Sequence, residues 1–95
     1  MGKVRYSELA STDLYENAEY IAQDKPEAAN RWIDTIEGVC ETLANNPEMG
    51  QSRKSKNHGS CRSFTSGNYV IFFRSLVDDV EIIRIVRGER DLDNV

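Results

Sequence analysis

Apolar positions crowd into the last third of the chain. Tyr69-Val70-Ile71-Phe72-Phe73 is unbroken, and Val80-Glu81-Ile82-Ile83-Arg84-Ile85-Val86 is a second strand-like run. Runs this rich in β-branched and aromatic residues favour strands buried on both faces over helices. Leu76-Val77-Asp78-Asp79 between them is short enough for a hairpin turn. Upstream, Cys61-Arg62-Ser63-Phe64-Thr65 is strand-like, and Ser66-Gly67-Asn68 is a turn signal leading into Tyr69. These three runs predict an antiparallel meander. Lys3-Val4-Arg5-Tyr6 alternates polar and apolar and predicts an opening strand in the same sheet.

Between the opening strand and the meander the period changes from two to 3.6. Ser7 suits an N-cap for a helix that begins at Glu8 and ends near Gln23. Ala10, Leu14, Ala18 and Ile21 recur at helical spacing, with Asp13, Glu16 and Glu19 mostly on the other side. Pro26 fits the first turn of a second helix. Ala29, Trp32, Ile33, Ile36, Val39, Cys40, Leu43 and Ala44 form its wide apolar stripe, and Asn45-Asn46-Pro47 stops it. The short connection predicts an antiparallel helix hairpin. Trp32 reads as core. Gly38 lowers helix stability and marks either a close approach or nothing. The polar stretch from Glu48 to Ser60 reads as a mobile surface loop.

The predicted architecture is one α+β domain, residues 1–95: a strand, a two-helix hairpin, then a three-stranded antiparallel meander. The helices cover one face of a four-stranded sheet, and Arg87 to Leu92 hangs off its edge.

Composition narrows the function classes. No stretch approaches the roughly 20 apolar residues of a membrane span, and the N-terminus lacks the apolar region of a signal peptide, so a cytoplasmic protein is expected. Cys40 and Cys61 are expected to be small buried hydrophobes in a reducing compartment. Two cysteines and the single His58 do not make a metal site, and no Gly-rich phosphate loop follows a strand, so neither metal nor cofactor is assigned. The formal net charge is −4. Ten acids face four cations up to Gly50, whereas eight cations face six acids beyond it. Such asymmetry suggests a polarised surface with different partners on its two sides. The basic set is Arg53, Lys54, Lys56, Arg62, Arg84, Arg87 and Arg90. Arg62 and Arg84 stand out, because an arginine among strand hydrophobes needs a partner or an exposed face.

Nearly the whole chain resembles the ParE toxins of bacterial type II toxin–antitoxin modules, within the RelE/ParE superfamily. The resemblance rests on Ala10-x-x-Asp13-Leu14 and Tyr20-Ile21-Ala22, then Ala28-Ala29-x-Arg31-Trp32-Ile33-Asp34-x-Ile36. It continues through Leu43-Ala44-x-x-Pro47-x-Met49-Gly50 and Arg62-Ser63 to Gly67-x-Tyr69-Val70-Ile71-Phe72-Phe73-Arg74. It ends with Val80 to Val86, Gly88 and Arg90-Asp91. It implies a non-enzymatic toxin that inhibits DNA gyrase and forms a hetero-oligomer with a cognate, ParD-like antitoxin. The residues assigned to the target are Arg62, Arg84, Arg87 and Arg90; those assigned to the antitoxin are Leu14, Asn17, Ile21 and Trp32.

The alternatives are a ribosome-dependent mRNA endoribonuclease of RelE type and an antitoxin-binding homologue with little toxicity. RelE-like relatives move protons with a residue near the C-terminus. Here nothing after Phe73 is His, Tyr, Phe or Trp. A pI near 4.9 opposes unaided RNA binding, and no sequence-specific nucleic-acid partner is expected. Two positions depart from the ParE pattern. Arg87 replaces the His common before the Gly, which keeps a donor and removes a titratable group. Asn17 stands where the first helix often has an apolar residue, facing the edge of the helix layer or marking antitoxin specificity.

Overall fold

A computed structural model describes residues 2–88, 92 and 95. The elements in order are β1 (Lys3–Tyr6), α1 (Glu8–Ala22), α2 (Pro26–Asn45), β2 (Gln51–Ser55), β3 (Gly59–Ser66), β4 (Tyr69–Ser75) and β5 (Asp79–Arg87). The sheet order is β1-β5-β4-β3-β2. β2 to β5 form an antiparallel meander, and β1 adds to β5 in parallel, with Val4 opposite Val80 and Tyr6 opposite Ile82. A parallel neighbour requires a crossover, which the helix hairpin supplies. The α+β class, both helices and the opening strand thus match expectation.

Two expectations need correction. The Glu48–Ser60 segment is not a loop throughout: Gln51–Ser55 pairs with Gly59–Ser63, which makes the sheet five-stranded and the meander four-stranded. Its residues are polar because an edge strand touches the core only along its inner side, so the apolar signal is absent. The C-terminal segment also does more than hang off the edge. Leu92 and Val95 pack with Cys61, Val70, Phe72, Ile83 and Val86 on the face opposite the helices.

The main core lies between helices and sheet. Ala10, Ile36, Cys40, Leu43 and Ala44 meet Tyr69, Ile71, Phe73, Val80, Ile82 and Ile85. With the second cluster behind it, β4 is buried on both faces from Tyr69 to Phe73, as its unbroken run predicts. Cys40 and Cys61 are buried free thiols. Gly38 is exposed, and a Cβ there would meet nothing within 4 Å, so it marks no close approach.

Candidate functional site

The seam between α1 and β5 gathers the most polar chemistry. β1 pairs with β5 only as far as Ile82, which leaves the edge beyond it without a strand. Side chains from the start of α1 close that edge. The Ser7 hydroxyl accepts from the Ala10 N–H at 3.0 Å as the helix N-cap and donates to the Ile83 carbonyl at 2.8 Å. The Asp13 carboxylate accepts from the Ile85 N–H at 2.9 Å. The Asn17 amide donates to the Asp13 carbonyl at 2.8 Å and reaches the Ile85 carbonyl at 3.4 Å. Buried backbone groups need such partners, and here one helix substitutes for a strand.

Arg84 belongs to this seam. The β4–β5 register shifts between Phe72 and Phe73. Ile82 and Ile85 therefore both face the helices, while Ile83 and Val86 both face away. The register skips Ile83, and Arg84 follows it opposite Phe72 at the seam with α1. Its Nε and Nη2 donate to Asp13 at 2.7 and 3.0 Å. This is the partner that an arginine among strand hydrophobes requires. Asp13, Glu16, Asn17, Tyr20, Arg84 and Arg87 line a polar cleft of about 330 Å³.

Arg62 is engaged elsewhere. Its Nε donates to the Met49 carbonyl at 3.0 Å, and Nη2 to the Glu48 and Gly50 carbonyls at 2.6 and 3.1 Å. Nη1 reaches the Ser52 hydroxyl at 3.3 Å. It clasps the turn that delivers the chain from α2 into β2. Gly50 sits there at φ +85°, and an added Cβ would fall 2.3 Å from the Ser63 carbonyl oxygen. Only glycine fits both constraints. Of the target-assigned arginines, Arg84 and Arg87 share one cleft, Arg62 lies apart on β3, and Arg90 is outside the described residues.

The four residues assigned to the antitoxin do not share one surface. Leu14 lines an apolar groove of about 520 Å³ between the helices, with Tyr15, Ala18, Pro26, Ala29 and Ile33. Ile21 lies on the other side of the hairpin, beside Tyr20, Lys25 and Ala28. Asn17 lines the polar cleft. Trp32 packs against the core and meets Tyr69 with ring centroids 4.9 Å apart. The groove residues Ala18, Ala29 and Ile33 escaped sequence reading because small apolar residues in a stripe look like core. Asp13 corrects the expectation that it lies with Glu16 and Glu19 away from the apolar stripe: it is buried, because its carboxylate takes the Arg84 guanidinium and the Ile85 N–H.

At the far end of α2, the Tyr6 phenol and the Cys40 thiol lie beside each other. Burial raises the Cys40 thiol to about 11 and also raises the Tyr6 phenol. Neither is poised as a nucleophile near neutral pH. Among the described residues no group of His, Cys, Asp and Glu could hold a metal ion, and no helix is long and apolar enough to cross a membrane.

Known proteins are similar to this chain. The family model described as "ParE toxin of type II toxin-antitoxin system, parDE" matches residues 4–92. Toxin RelE3 of Caulobacter vibrioides is 35% identical over 86 residues, which is 90% of this chain and 92% of that protein. A solved chain of the "Chromosomal ParDE TA system from P. aeruginosa" has the same fold, with a TM-score of 0.73 at 24% identity. That match covers 92% of this chain and 96% of the other.

Proposed function

The chain belongs to the ParE toxin family of type II toxin–antitoxin systems, and on that basis we propose that it inhibits DNA gyrase by binding and is neutralised by its cognate antitoxin. The toxin performs no bond-breaking step of its own and acts in the cytoplasm. The observation that supports binding over RNA cleavage is the state of two arginines. A nuclease of the RelE kind needs cationic groups turned toward a scissile phosphate. Arg84 is held by Asp13, and Arg62 is held by four acceptors around the turn into β2.

The antitoxin forms a hetero-oligomer with the toxin. The inter-helix groove fits an amphipathic helix, whose apolar side chains seat against Leu14, Ala18, Ala29 and Ile33. One or two buried anchors carry most of that affinity.

Purified gyrase tests the proposal. Micromolar toxin is expected to block supercoiling and accumulate cleaved DNA complexes, and added antitoxin reverses both. Unimpaired supercoiling without cleavage complexes overturns it. The relative named Toxin RelE3 keeps a ribosome-dependent mRNA endoribonuclease as the second reading. Primer extension on translated message separates the two, since only the nuclease leaves cuts within codons. A chain that binds antitoxin yet leaves gyrase and message intact is a homologue with little toxicity.

A further inference from the structure

The β4–β5 hairpin ends in an apolar turn. Val77 is 99% exposed, the most of any large apolar side chain among the described residues, and Leu76 is exposed beside it. Neither packs in a core cluster. Hairpin turns favour Gly, Asn, Asp and Ser, and a β-branched side chain there gains nothing from water. The turn is nevertheless firmly held. The Leu76 N–H donates to the Asp79 carbonyl at 2.7 Å. The Asp79 carboxylate accepts from the Arg5 Nε at 2.6 Å and from the Lys3 N–H at 3.3 Å. Gly2 passes so close that an added Cβ would fall 2.6 Å from the Ala44 carbonyl oxygen and 3.2 Å from that of Asp78. Val77 is thus presented on a fixed base, beside the C-terminal end of α2.

We propose that Leu76 and Val77 anchor the toxin on its protein target, seated in an apolar pocket with a cationic rim. The inference rests on the reading of that target as DNA gyrase. An enzyme that handles DNA carries cationic surface along the DNA path. The ground around the turn is acidic. Asp78 is exposed, Glu37 and Glu41 line the cleft beside Lys3, and Arg5 is neutralised by Asp79. An apolar pair flanked by acid complements such a surface. A side chain on a fixed turn also loses little conformational freedom when it binds, which suits a hot spot. The antitoxin is not the occupant. Its groove uses Pro26, Ala29 and Ile33 in the first half of α2. The turn instead adjoins Ala44, about 22 Å along the helix from Ala29. A lipid surface is disfavoured, because two apolar side chains insert weakly and anionic headgroups repel the acids. A second copy is disfavoured too. Contact between two such turns sets Asp78 against Asp78 and buries far less than a stable interface needs.

The test measures, with purified gyrase and relaxed plasmid, the concentration of full-length toxin that halves supercoiling. The Leu76→Ser/Val77→Ser double variant should raise that concentration at least tenfold. Its melting temperature should change by a few degrees at most, since neither side chain is in a core cluster. Its affinity for the cognate antitoxin should stay within about twofold of native. Asp78→Lys should inhibit several-fold less, with a weaker dependence on salt. Ser75→Ala, one residue before the turn, should leave inhibition unchanged. A double variant that inhibits like the native chain overturns the proposal, as does one that loses antitoxin affinity instead. If the native chain itself leaves supercoiling untouched, the gyrase reading falls and the anchor falls with it. Native inhibition with an equally potent double variant removes the anchor alone.

Discussion

Asp13 and Arg84 are locked together across the α1–β5 seam, the carboxylate accepting from Nε at 2.7 Å and Nη2 at 3.0 Å. The same carboxylate takes the Ile85 N–H. One acid therefore satisfies a guanidinium and a strand edge together. Removing either partner strands the other in a place only partly open to water.

Asp13→Ala should destabilise the chain by about 2–3 kcal/mol, discounted from the fully buried case because Arg84 keeps some exposure. Arg84→Met should cost less, about 1–2 kcal/mol, since Asp13 retains the Ile85 N–H. The double variant should fall short of the sum by roughly 1 kcal/mol or more. Urea denaturation measures all three. If Arg84→Met is as stable as the native chain and non-toxic, Arg84 meets the target directly.

The seam also shows where the sequence is informative. The strands β3, β4 and β5 and both helices follow from apolar period, because burial writes that period into the chain. β2 does not, since Gln51-Ser52-Arg53-Lys54-Ser55 has nothing to bury on its outer side. The need of Arg84 for a partner was visible in its strand. Its partner was not, because Asp13 lies 71 positions away and only the crossover of the helix hairpin brings them together. The same holds for Arg62, whose carbonyl partners carry no side-chain signature at all.

Ile33 lines the inter-helix groove and is only partly buried, so it can be changed without opening the core. Ile33→Glu places a charge where an apolar anchor would seat. Antitoxin affinity should fall at least a hundredfold, about 3 kcal/mol, with the melting temperature changed by a few degrees at most. Calorimetric titration checks the first and thermal unfolding the second. Undiminished affinity places the antitoxin helix elsewhere.

Gly38 offers a gain. It is exposed inside α2 with open space around its missing Cβ. Gly38→Ala should stabilise the chain by about 0.5–1 kcal/mol through helix propensity and a less flexible unfolded state. A rise of several degrees in melting temperature is expected, with no loss of antitoxin binding.

Alkaline pH should weaken the fold. The Cys40 thiol ionises near 9.0 when ordinary and is raised by burial to about 11 here. A raised pKa means the unfolded chain sheds its proton first, so stability is intact below pH 9 and is lost as pH rises toward 11. The Tyr6 phenol, also raised, acts in the same direction above pH 10. The combined loss should reach roughly 2–3 kcal/mol by pH 11. Melting curves should be flat from pH 7 to 8.5 and fall above 9. At pH 8 Cys40 should react with a thiol reagent only as fast as the chain opens.

The turn into β2 depends on two residues acting as one device. Gly50 lets the backbone pass against Ser63, and Arg62 then gathers the Glu48, Met49 and Gly50 carbonyls. Gly50→Ala forces a Cβ into backbone at a positive φ and should cost about 2–4 kcal/mol. Arg62→Ala leaves those carbonyls without their donor and should cost about 1–3 kcal/mol. Because both changes release the same turn, the double variant should be little worse than Gly50→Ala alone. Hydrogen exchange should show the loss confined first to β2, the edge strand that the turn anchors. Strict additivity, or exchange accelerating first in β4 and β5, shows instead that the two residues serve separate parts of the fold.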